Sequence, residues 1–268
     1  MLRKYSSTRT HGDNVKLGSL MAFSAGMVNV ISLAALFAFT SNITGHFAIL
    51  ANEIAKGNWY QAAVVFIWVV LFFGGNFLSN LSIIHLSDRI GSYLAHTIPI
   101  VIEMMCLLAA GAYMHHFYTE TLQETEILIA VFVFAMGMHN GLTASISNFA
   151  VKTTHLTGLT TDLGILFSMF TKKEFRNDRS LRLKARLLLS ILSAYILGGI
   201  LSSFIYAQFK YYSVFAVCFV LGIIVIYDFF YLKSWRWKLN TFVIRNIFMG
   251  DEEKVIKHRV KELENMRT

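Results

Sequence analysis

The chain has 268 residues, 55% of them hydrophobic and 14% aromatic, with a formal net charge of +8. That is too apolar for a soluble domain of this length. The basic excess comes without any nucleic-acid-reading motif, so no nucleic-acid partner is expected.

Six stretches reach the roughly 20 apolar residues that a spanning helix needs. They are Leu17–Phe39, Ala62–Ile84, His96–Phe117, Ile127–Phe149, Leu187–Ala207 and Tyr211–Tyr231. The first follows a basic segment, residues 1–16, and is too long for a signal-peptide core, so it is expected to be retained. The single proline, Pro99, and the lack of alternating ten-residue strands predict helices and exclude a β-barrel. Between the first and second stretches lies Thr44–Gly57, and between the fourth and fifth lies Thr157–Lys173. Each opens on Thr-Gly, keeps a helical apolar period and is too short to span, so each is either interfacial or re-entrant. The tail, residues 233–268, divides into a headgroup-level segment, Trp235–Met249, and an amphipathic helix beginning at Asp251.

Charge fixes the expected orientation. With the N-terminus inside, segments 1–16, 85–95, 150–186 and the tail from Lys233 hold 22 of the 24 Lys and Arg residues. The outer loop carrying Glu120, Glu124 and Glu126 is acidic. Both termini are therefore predicted to be cytoplasmic.

The two halves repeat one another. Gly26-Met27-Val28-Asn29 returns as Gly137-Met138-His139-Asn140, Ile43-Thr44-Gly45 as Leu156-Thr157-Gly158, and Gly74-Gly75 as Gly198-Gly199. Two three-helix units, residues 17–117 and 127–232, must then insert with opposite orientations, the sequence mark of secondary transporters. The expected fold is an all-α membrane protein of six spans in two inverted repeats, and the expected activity is that of a small-molecule transporter or permease. The alternative is a non-transporting scaffold or sensor that binds a partner or anionic lipid through the basic loop and tail.

Polar groups at membrane depth are functional candidates by default. Asn29 and Asn140 occupy matching places near the span centres, and two amides across a pseudo-two-fold axis would make a substrate site, with His139 and Thr143 on the same face. Interhelical bonding is the structural alternative. Glu103 is the one carboxylate well inside a span and has no buried Lys or Arg beside it, which makes it a candidate proton-coupling group with His139 as a partner. Asn42, Thr44 and His46 at one face, and Thr153, Thr154, His155, Thr157 and Asp162 at the other, form candidate gates. Thr44 and Thr157 are expected to cap the short helices and leave backbone N–H groups for an anion. Gly75-xxx-Ser79 and Gly199-xxx-Ser203 allow close helix approach, within one chain or in a homo-oligomer. Cys106 and Cys218 lack CxxC spacing and read as core hydrophobes. Nothing has metal-ligand spacing and no nucleophile–base pair is legible, so no cofactor, metal or catalytic residue is expected, and no enzyme.

Ala25-Gly26-x-x-Asn29, Asn42-x-Thr44-Gly45-His46, Met136-Gly137-x-x-Asn140 and Thr153-Thr154-His155-Leu156-Thr157-Gly158-x-x-Thr161-Asp162-x-Gly164 resemble the YoaK family of uncharacterised bacterial inner-membrane proteins. The resemblance covers about Leu17 to Leu232. It departs at Asn29, where many members carry an acid, at His139, where Gln is usual, and near Ser145, where a basic residue is missing. It implies a multi-pass protein of the bacterial inner membrane.

Overall fold

The computed structural model describes residues 2, 9–227 and 229–230, and among these the chain is all-helical with no strand. The tail segments Trp235–Met249 and beyond lie outside the described residues. Eight α-helices run in the order α1 His11–Leu36, α2 Ile43–Ala55, α3 Trp59–Ile90, α4 Ser92–His116, α5 Leu122–Ile146, α6 Leu156–Met169, α7 Lys173–Asn177 and α8 Arg179–Phe209. A 3-10 turn, Lys210–Tyr212, follows, and a further helix, α9, takes up residues 213–227.

The long helices begin earlier than hydropathy alone predicts, because polar caps rather than apolar residues set most of their first turns. Thr10 and Asp13 form a capping box on α1, Asn58 caps α3, and Thr121 and Glu124 form a capping box on α5. Asp178 accepts from Ser180 N and Leu181 N at the start of α8. Within the expected cytoplasmic segment 150–186, residues 173–177 and 179–186 are therefore helix.

Among the described residues five stretches are long and apolar enough to cross a membrane, and the chain is a multi-pass helical membrane protein. The last stretch, Arg179–Tyr227, is broken at Lys210, whose φ is 49°. Large apolar side chains such as Phe66, Phe73, Phe77, Phe204 and Phe219 stand outward, as a lipid-facing surface requires.

Helices pack where side chains are missing. A methyl group on Gly26 would lie 2.1 Å from the Tyr195 carbonyl oxygen, and one on Gly198 2.0 Å from that of Phe23. With Gly18 against Ile191 and Ser202 donating to the Met27 carbonyl at 3.2 Å, these contacts set α1 and α8 side by side and parallel. The same geometry joins α3 and α5. A methyl on Gly137 would lie 2.4 Å from the Phe72 carbonyl, one on Gly75 2.5 Å from that of Phe134, and Ser145 donates to Asn80 at 2.8 Å. Such approach is how helices associate in lipid, where hydrophobic burial gives no drive.

These contacts correct the glycine register. Gly75 and Ser79 are buried in α3, whereas in α8 the inward pair is Gly198 and Ser202, with Ser203 exposed. The Gly75/Ser79 face, a candidate for pairing two copies, is filled by α5 of the same chain.

α9 returns antiparallel to α4, with Val214 against Gly111, Cys218 against the Met104 carbonyl and Val225 accepting from Tyr93. α1 and α5 are buried along most of their length and form the centre.

Candidate functional site

α4 and α5 form a hairpin whose turn is held by Glu124. Its carboxylate accepts from Thr119, Thr121 and the Tyr113 hydroxyl. That register brings Glu103 opposite His139, with Oε1 2.9 Å from Nδ1 and neither side chain exposed. Glu103 lies within about one residue, or 1.5 Å, of the middle of α4, which is deeper than the span boundaries predict. His139 supplies the partner that no Lys or Arg provides. Glu103 Oε2 and His139 Nε2 are both buried without a hydrogen bond. An intramembrane carboxyl–imidazole pair is a functional candidate by default.

The two asparagines do not meet in a hydrogen bond. Asn29 donates from Nδ2 to the Ala25 carbonyl at 3.0 Å and to the Ser41 hydroxyl at 2.8 Å, and its Oδ1 accepts from that hydroxyl at 3.0 Å. Asn140 donates to the Met136 carbonyl at 2.9 Å and accepts from Thr154 at 2.8 Å. Both amides are buried, and each ties a long helix to the segment leading into the next short one. The tie follows a break of one kind. α1 ends on Phe37 with φ 55° and α5 is followed by Phe149 with φ 62°, left-handed values that are unusual for a bulky residue. Both phenylalanines are exposed. The helix ends, three residues short of the hydropathy boundary, place Asn29 and Asn140 towards the C-terminal ends of their helices rather than at the centres.

Behind these ties lie further hydroxyls. Ser32 sits 3.4 Å from Thr40, and Thr143 donates to the His139 and Asn140 carbonyls rather than to open space. Thr153 is buried with its hydroxyl unpartnered. The Tyr195 hydroxyl stands beside the Asn29 amide.

The Thr-Gly segments differ from the expectation in detail. Asn42, not Thr44, caps α2 by accepting from Gly45 N at 3.2 Å. His155 occupies the cap position of α6 without a side-chain bond, and Thr44 and Thr157 are exposed in the first turns. Threonine stands two positions past the cap in each helix, too late to act as one. His46 is buried edge-on to Trp68, with ring centroids 5.5 Å apart, and burial pushes its imidazole below the ordinary histidine value. Asp162 pairs with Lys184 at 2.9 Å, joining α6 to α8.

Sequence reasoning missed Ser41 and Tyr195. Ser41 stood at the place of Thr154, 113 residues earlier, and that offset alone could have found it. No cluster of three or more His, Cys, Asp or Glu side chains suited to a metal occurs among the described residues. One surface groove lies between α6 and α8 and another between α1 and α9, and neither is lined by Asn29, Asn140, Glu103 or His139.

A family model described as a protein of unknown function, DUF1275, matches residues 17–227, which takes in both asparagine ties and the Glu103–His139 pair. No curated protein and no solved structure matches. The match runs from the first apolar turn of α1 to the end of α9, and the chain belongs to the DUF1275 family of proteins of unknown function.

Proposed function

We propose that the chain is a small-molecule secondary transporter or permease of the bacterial inner membrane, a DUF1275 protein of the YoaK type, with both termini cytoplasmic. Its body is read as two inverted three-helix units, residues 17–117 and 127–232, with Arg179–Tyr227 crossing twice. The observation that carries this reading is the broken helix that occurs twice: an asparagine, an exposed left-handed phenylalanine, a hydroxyl bonded back to the asparagine, and a short helix. Discontinuous helices that recur in both halves are a transporter device. The parallel pairs α1–α8 and α3–α5 support it, since inversion sets the first helix of each unit beside the second helix of the other.

In this reading Glu103 and His139 bind the coupling proton. Adding a proton to the pair leaves an uncompensated charge in a dry interior, which favours opening towards water. Losing it restores the closed pair. Asn29 with Ser41, and Asn140 with Thr154, latch the two breaks, one towards each face. The reading assigns no enzymatic step.

The second reading, a scaffold or sensor acting through the basic 150–186 segment and the tail, is favoured by the full burial of the Glu103–His139 pair. An uptake screen separates the two. Vesicles containing the full chain are incubated with a mixed small-metabolite extract, with and without a pH gradient, and their contents are compared with those of protein-free vesicles. Transport predicts a compound that accumulates with the protein and loses its dependence on the gradient in Glu103→Gln. Identical contents in both sets of vesicles would leave the scaffold.

A further inference from the structure

The basic start of α8 carries an unbalanced charge beside an apolar groove. Arg179, Arg182 and Arg186, spaced three and four apart, lie along one face of that helix. Lys184 points elsewhere and is neutralised by Asp162. Among the described residues neither Arg182 nor Arg186 has a carboxylate within ion-pair distance, and the one bond of the Arg182 guanidinium is a long one, 3.4 Å, to the Asn177 carbonyl.

Between these arginines and the end of α6 runs a groove of about 480 Å³, lined by Phe167, Phe170, Ala185, Leu189, Ser190 and Ser193 as well as the two arginines. The Ser190 hydroxyl is already spent on the Arg186 carbonyl at 2.7 Å, so beyond the arginines the groove is apolar but for the Ser193 hydroxyl. From Arg182 to Ser193 is eleven residues of helix, about 16 Å, which suits much of an acyl chain. One end is a pair of planar forks matched to phosphate oxygens and the other is a hydrocarbon slot.

We propose that this groove binds one anionic phospholipid, its phosphate held by Arg182 and Arg186 and an acyl chain laid along Phe167, Phe170 and Leu189. Basic pockets between membrane helices recognise anionic headgroups by this chemistry. A soluble phosphate has no use for the apolar half, and a zwitterionic lipid brings a cation to two arginines. The site stands whether or not the chain transports.

Native mass spectrometry of the full chain, released from detergent with equal amounts of dioleoyl phosphatidylglycerol and dioleoyl phosphatidylcholine, tests it. Each basic group near an anionic headgroup is worth about fivefold. Wild-type protein therefore retains phosphatidylglycerol over phosphatidylcholine, and Arg182→Gln/Arg186→Gln lowers that retention by about twenty-five-fold. Leu189→Trp, which fills the slot and leaves the charges, also lowers it, whereas Lys184→Gln leaves it unchanged. If the double Gln variant does not fold, Arg182→Lys/Arg186→Lys and Leu189→Trp carry the test, with Leu189→Trp the lower of the two. Equal retention of the two lipids, or a Lys184→Gln loss as large as that of the double variant, overturns the proposal. Displacement of the lipid by inorganic phosphate also overturns it, as does an unchanged Leu189→Trp.

Discussion

Adjacent glycines in α3 and in α8 should respond in opposite order to the same substitution. A methyl on Gly75 meets the Phe134 carbonyl at 2.5 Å and Met138 N at 2.9 Å, while one on Gly74 has no neighbour within 4 Å. In α8 the order reverses: Gly198 meets Phe23 backbone at 2.0 Å, and Gly199 meets the movable Val30 side chain at 3.1 Å and the Gly26 carbonyl oxygen at an ordinary 3.7 Å. Ordinary carbon–oxygen contact is about 3.4 Å, so Gly75→Ala and Gly198→Ala must part their helices by about 1 Å. Overpacking of that kind costs about 1–3 kcal/mol, or about 3–10 °C in melting temperature for a chain of this size. Gly74→Ala instead removes a helix penalty of about 0.5–1 kcal/mol and should raise the melting temperature slightly. Thermal unfolding in detergent, followed by tryptophan fluorescence, measures all four. Equal effects at Gly74 and Gly75, or greater damage at Gly199 than at Gly198, would refute the packing register.

Three other outcomes are expected. Glu103→Leu and His139→Leu should each destabilise by about 1–3 kcal/mol by orphaning a buried partner, and the double variant by less than their sum; strictly additive losses in melting would show that the pair does not interact. Ser41→Ala and Thr154→Ala should raise amide hydrogen exchange in residues 37–42 and 147–155 respectively while the helix cores stay protected, and unchanged exchange there would discard the latches. Burial holds His46 below the ordinary histidine value, so the unfolded chain takes up its proton first and stability is lost as pH falls below about 6.5. His46→Phe should flatten that part of the pH–melting profile, and an identical profile would remove the residue from the acid response.

Much of the helical architecture was legible because apolar length sets membrane helices, and the short α2 and α6 were legible from Thr-Gly followed by a helical apolar period. The helix starts were not, because Thr10, Asn58, Thr121 and Asp178 act through hydrogen bonds that a hydropathy window averages away. The glycine register failed for another reason. Two adjacent glycines align equally well in either frame, and only the partner helix decides that α3 uses its second and α8 its first. Glu103 announced itself as a lone carboxylate in an apolar stretch, and His139 as its candidate partner, but a distance of 2.9 Å needed the α4–α5 hairpin. The asparagines were found by repetition, yet repetition says nothing about whether two amides face one another or each turns to its own hydroxyl. Ser41 was hidden among loop residues until Asn29 was seen to hold it.

Opposite insertion of the two broken-helix units is tested most directly at their exposed breaks. Phe37 and Phe149 are 89% and 69% exposed, at matching points after α1 and α5. In a background with Cys106 and Cys218 replaced by alanine, Phe37→Cys and Phe149→Cys are treated in intact cells with a membrane-impermeant maleimide, and Gln123→Cys in the acidic α4–α5 turn marks the outside. The account predicts that Cys at 37 and at 123 reacts from outside and that Cys at 149 reacts only after the membrane is opened. Labelling of 37 and 149 from the same side would contradict it.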